Sequence, residues 1–238
     1  MTRHTATLLA VLCLISFALA PPARAFDDRA VIDGFNRTVF GSEYLGDRFA
    51  RAYVRKFTRP VRFYVRSRVG REPIGQVHQF ISELPGLIGN LRVQLMSSVR
   101  SANFVVHLVS RAQYADTVKR IVLRNPNARV RGKCMVRSVF SKGGITRSDA
   151  VIVVDEGAAL FSRCMTEEIL QGLGPLNDDP TLVGSMFNDT SPYTEFRRFD
   201  RLILNALYDP RIRVGASPGT VAPLLPMVVR DVRARIEG

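Results

Sequence analysis

The stretch "CMTEEILQGLGPLNDDP", residues 164–180, joins the end of one element to the start of a polar loop, and its reading decides how the rest of the chain is arranged. From about Ala158 to Leu173, good helix formers predict a helix. Gly174 can supply a left-handed cap, and Pro175 forbids continuation. Within that helix Glu167 and Gln171 stand four apart and stack on one face, with Glu168 rotated about 100° away. Asn177, Asp178 and Asp179 follow at once in the loop. Immediately upstream, "AVIVVD" (150–155) reads as an apolar strand. A strand thus leads into a helix whose far end gathers carboxylate and amide oxygens.

Further out, "DDRAVIDGFNRTVFG" (27–41) reads as a helix opened by acidic residues. "RPVRFYVRSR" (59–68) alternates, with Val61, Phe63 and Val65 on one face and Arg62, Tyr64 and Arg66 on the other, the pattern of a half-buried strand. "EPIGQVHQFISELPGLIG" (72–89) predicts a helix ending near Pro85-Gly86. "NFVVHLV" (103–109) predicts a strand, and "AQYADTVKRIVL" (112–123) a helix. "RVRGKCMVRSVF" (129–140) and "ITRSDAVIVVD" (145–155) flank Ser-Lys-Gly-Gly as a hairpin. "EFRRFDRLILNALYD" (195–209) is helical. "VAPLLPMVVRDVRARIE" (221–237) reads as one amphipathic helix with Val221, Leu224, Leu225, Val228, Val229 and Val232 on a single stripe. Elements alternate and then give way to helices, so the expected class is α+β, a mixed β-sheet packed with helices.

"MTRHTATLLAVLCLISFALAPPARA" (1–25) has the layout of a secretory signal peptide: early basic residues, an apolar run, and small residues at a cleavage position. The run falls short of the ~20 residues needed to span a bilayer. Residues 26–238 are therefore expected as one exported domain, periplasmic or secreted, that does not span the membrane. Cys134 and Cys164 remain after cleavage, and an even pair in an exported chain most simply forms a disulfide. A free thiol nucleophile or a metal ligand is the alternative. Charge is uneven: residues 26–150 hold 23 Lys+Arg against 9 Asp+Glu, whereas residues 151–238 hold 9 against 12.

Several fragments in order resemble a known family: "GSEY" (41–44), "TRPVRFYV" (58–65), the two cysteines, "CMTEEILQGLGPLND" (164–178), "SMFND" (185–189) and "FDRLILNALYDPRI" (199–212). Together they resemble the uncharacterised exported bacterial family catalogued as domain of unknown function 2927. That family's motif is in turn similar to the H-E-x-x-H-x-x-G-x-x-H helix of metzincin-type zinc metallopeptidases. The resemblance implies a zincin-like domain. It sets Glu167 at the first histidine, Glu168 at the catalytic glutamate and Gln171 at the second histidine. Asn177 or Asp178 then stands at the third ligand, and Met186 beneath the cleft where a Met-turn would lie.

The chemistry departs from that outline. Zinc in such sites needs imidazole or thiolate ligands, and only His78 and His107 lie within 26–238, neither of them in the motif. A three-histidine zinc site is excluded, so no metal or cofactor is expected. Carboxylate and amide oxygens suit calcium, magnesium or manganese instead. Three readings follow. In the first, a non-catalytic scaffold binds a peptide or cell-envelope partner through Glu167, Gln171, Asn177, Asp178 and Met186. In the second, a hydrolase uses Glu168 as general base with an unusual metal or none. In the third, Arg62, Tyr64 and Arg66 bind an anionic partner within Arg48–Arg71, a strip of nine basic residues and no acidic one. A solvated helix face and a solvated strand face account for the same residues without function. Nucleic acid is not an expected partner of an exported chain, despite a pI near 10.6.

Overall fold

The computed structural model describes residues 26–41 and 52–238. The segment read as a signal peptide, most of "GSEY", and Arg48 and Arg51 of the basic strip lie outside the described residues. Five strands form one sheet in the order β2-β1-β3-β5-β4: β1 (Val61–Ser67), β2 (Val93–Leu95), β3 (Phe104–Val109), β4 (Cys134–Ser141) and β5 (Gly144–Val153). All pairings are parallel except β4 with β5, so β4 is an antiparallel edge strand. The mixed sheet packed with helices is the α+β arrangement expected from the residue pattern.

The alternation in β1 orients the sheet. Val61, Phe63 and Val65 are buried, while Arg62 and Arg66 are exposed and Tyr64 lies between those extremes. The buried side faces the main core, shared with α1 (Asp28–Phe35), α2 (Glu72–Leu87), α4 (Ala158–Gln171), α5 (Arg198–Leu207), the short α6 (Pro218–Val221) and α7 (Leu225–Glu237). The other side is covered over part of its area by α3 (Arg111–Thr117) and its π-helical extension Val118–Leu123, which bury a smaller cluster around Tyr114, Val151 and Val153.

Several sequence expectations are corrected. The final amphipathic run is interrupted after Val221 and resumes at Leu225, because Pro226 lacks an N–H and sits in the first turn of a new helix. The helix expected to end near Pro85 runs on to Leu87. β2 carries no legible alternation, having three residues. Gly174 is not a left-handed cap. The helix closes on Gly172 in the right-handed region, while Gly174 has φ +151°. Glycine is required there because a Cβ would meet the Arg55 carbonyl oxygen at 2.5 Å and Leu207 at 2.7 Å. That close approach brings the segment before β1 against the end of α4.

Candidate functional site

A cleft of about 840 Å³ lies between the edge strand β4 and helix α4. Its β4 wall runs from Cys134 to Phe140. Its floor is Leu160, Arg163, Glu167, Glu168 and Gln171 of α4, and the loop behind adds Leu176, Asp178 and Asp189. Two features fix this geometry. The first is the Cys134–Cys164 disulfide, which ties the start of β4 to the middle of α4. Closing a loop of that length stabilises the fold by ~3–4 kcal/mol in the chain-entropy model. The second is the Ser148 hydroxyl on β5, which donates to the Gly172 carbonyl at 2.8 Å and pins the helix end to the sheet.

The backbone of β4 turns a ladder of groups into the cleft. Val153 N–H donates to the Lys133 carbonyl, so in the antiparallel register the odd-numbered residues of β4 bond to β5. The N–H and C=O groups of Cys134, Val136 and Ser138 therefore point to the outer edge, which has no strand partner among the described residues. A register shift between Val139 and Phe140 ends the regular ladder. An edge strand with unpaired backbone groups is a template for a further strand.

The floor is polar and buried: Glu167 and Glu168 are each 5% exposed, and Gln171 is buried beside them. Arg163 Nε lies 3.3 Å from Glu167 Oε2, and Arg163 Nη2 donates to the Asp189 carbonyl at 2.6 Å. Gln171 Nε2 donates to Asp178 Oδ1. Of the residues set in the cleft by sequence, Glu167, Glu168, Gln171 and Asp178 line it together. Asn177 and Met186 do not. Asn177 turns away and donates to the Arg37 carbonyl at 3.0 Å. Met186 is fully buried, its N–H donating to Asp200 Oδ2 at 3.1 Å. Asp200, which the sequence reading did not single out, also accepts from the Ser185 hydroxyl at 2.6 Å and so orders this turn. Burial pushes its carboxyl up to about 7.

The basic strip is not one surface. Arg55 is buried in the cleft wall, and Lys56 is held by the Leu207 and Asp209 carbonyls, where burial lowers its pKa to about 8. Arg62 and Arg66 flank Tyr64 on the far face of the sheet, away from the main core. On that face His107 Nε2 donates to Asp149 Oδ1 at 3.1 Å, and Arg147 grips the same carboxylate through two bonds of 2.6 and 2.7 Å. His107 therefore stands as a satisfied buried histidine, not at the cleft.

Zinc does not fit the residues present. No histidine lines the cleft, and the Cys134 sulfur beside Glu167 and Glu168 is bound to Cys164. Oxygens of Glu167, Asp178 and Asp189 lie within 4.8 Å of one another, a donor set that suits a hard cation.

Fold and cleft together define an α+β domain with a buried polar floor beside a strand that ends the sheet among the described residues. Residues 28–227 match the family described as Protein of unknown function (DUF2927), and the chain belongs to that family. No curated protein matches the chain.

Proposed function

We propose that this chain is a non-catalytic, exported, metallopeptidase-like (zincin-like) domain, spanning 26–238, that docks an extended peptide segment of a cell-envelope or secreted partner in the β4–α4 cleft. One observation carries the reading: the Cys134, Val136 and Ser138 backbone groups face the cleft with no strand partner among the described residues. β-Strand addition supplies main-chain hydrogen bonds there, and the cleft floor supplies side-chain selection. The replacement of zinc-binding residues by Glu167 and Gln171 supports binding over peptide hydrolysis. Among the described residues no helix is long and apolar enough to cross a membrane, and the disulfide accords with an oxidising compartment.

Val136→Pro tests this. Proline removes the central outward N–H without touching a bond to β5. The variant keeps its fold and disulfide, and peptide retention by the full chain falls roughly tenfold or more, the size of one to two lost hydrogen bonds. Unchanged retention sinks the reading.

A second reading is a metal-dependent hydrolase with Glu168 as general base. It has the Glu167, Asp178 and Asp189 oxygens in its favour. Stoichiometric calcium, magnesium or manganese on the purified chain, lost in Glu167→Ala, would select it. The exposed Arg62 and Arg66, flanking the half-buried Tyr64, support an accessory contact with an anionic surface, which would weaken steeply with salt.

A further inference from the structure

Arg55 is 3% exposed, yet no carboxylate lies within ion-pair distance of it among the described residues. Its Nη2 donates to the Val39 and Gly41 carbonyls, each at 2.8 Å. Its Nε finds no acceptor, and among the described residues Nη1 has none either. The guanidinium lies 5.0 Å over the Phe140 ring. Burial lowers its pKa, the mark of a charge held in poor solvation. Buried arginines are normally paired, because two carbonyl dipoles do not replace a full counter-charge.

Arg55 is among the residues that line the cleft, as is the Phe140 ring beneath its guanidinium. Its position along β4 is set by Phe140, whereas Cys134, six residues away, has its sulfur among the Glu167 and Glu168 oxygens. At the rise of a strand, that separation is roughly 20 Å. Arg163 already pairs Glu167 at the Cys134 end, whereas the guanidinium of Arg55 beside Phe140 has no carboxylate partner among the described residues.

Resting on the peptide-docking reading above, we propose that the Phe140 end of the cleft is a carboxylate pocket in which Arg55 binds a free carboxylate of the docked peptide. The planar fork of arginine matches a carboxylate, and Phe140 holds the guanidinium plane while shielding it from water. A C-terminal carboxylate at Arg55 sets the peptide parallel to β4; an Asp or Glu side chain leaves its direction open.

The test uses the full chain, immobilised, with three pools of N-acetylated random octapeptides: free acids lacking Asp and Glu, the same sequences as C-terminal amides, and amides bearing one Glu. Retained peptides are counted by mass spectrometry. The expected result is free acids retained roughly tenfold or more over plain amides, the loss expected for one charge-assisted bond. Glu-bearing amides retained like the free acids support the same pocket with a side-chain source. Arg55→Gln equalises acids and amides while both stay bound. Because Arg55 also ties Val39 and Gly41, the acid-to-amide ratio of the unaltered chain carries the test by itself. Equal retention of all three pools overturns the carboxylate pocket and leaves edge docking standing. Retention of none overturns both.

Discussion

Arg147 and Arg55 make the instructive comparison. Arg147, on the far face of the sheet, gives both arms of its fork to Asp149, which His107 also contacts; every member has a charged partner. Arg55, in the cleft wall, is more deeply buried and among the described residues meets only carbonyls and an aromatic ring. The first arrangement is closed and needs nothing further. In the second, Nε finds no acceptor among the described residues. Saturation, not charge itself, separates structural ionic groups from groups that await a ligand.

The largest expected effect falls on the frame that both arginines share. Reducing the disulfide, or Cys134→Ser with Cys164→Ser, lowers stability by ~3–4 kcal/mol, read by urea unfolding with and without reductant. It also loosens the cleft, so peptide retention falls with it, while the Arg147–Asp149–His107 group persists.

Next comes the closed site. Asp149→Asn costs about 2–3 kcal/mol, the worth of hydrogen bonds to a charged group, and leaves peptide retention unchanged. Arg55→Gln shows the reverse profile: about 1 kcal/mol of stability, from the range for ordinary hydrogen bonds, but loss of the acid preference. Equal profiles for the two variants would erase the distinction.

A third contrast is in pH. The His107 and Arg147 bonds hold the Asp149 carboxyl below its ordinary value against the opposing effect of burial. Its contribution is present above the unfolded pKa of 3.8 and is lost as pH falls through the depressed folded value. Asp200 behaves oppositely, because burial raises its carboxyl from 3.8 to about 7. Its stabilising contribution is complete below 3.8 and declines as pH rises through about 7. Unfolding free energy measured at pH 5.5 and 8.5 falls across that interval in the unaltered chain, and Asp200→Asn flattens the decline. The smallest effect is on the exposed face. Arg62→Glu with Arg66→Glu leaves unfolding within about 0.5 kcal/mol and alters only salt-sensitive binding to anionic vesicles.

Much of this frame was legible in the residues. The alternation of β1, the hairpin ending in "AVIVVD" and the helix carrying Glu167, Glu168 and Gln171 are local patterns, and local patterns survive folding. What escaped the sequence is tertiary. Arg55 sits in a run of basic residues that reads as solvated. Its side chain is held by the Val39 and Gly41 carbonyls and the Phe140 ring, which lie elsewhere along the chain. Asn177 and Met186 stand at the spacing of the motif, yet the loop turns them toward Arg37 and Asp200. Spacing marks a helix face well and the far side of a loop poorly. The free edge of β4 was likewise invisible, because which strand ends a sheet is set by strand order and not by any residue in the strand.

Edge docking is tested most directly by amide hydrogen exchange along β4, with and without the octapeptide pool that the chain retains. Docking on the free edge predicts slower exchange at Cys134, Val136 and Ser138, whose N–H groups face the cleft, and no change at Met135 and Arg137, whose N–H groups already bond to β5. Uniform slowing along the strand, or no slowing at Val136, would contradict it.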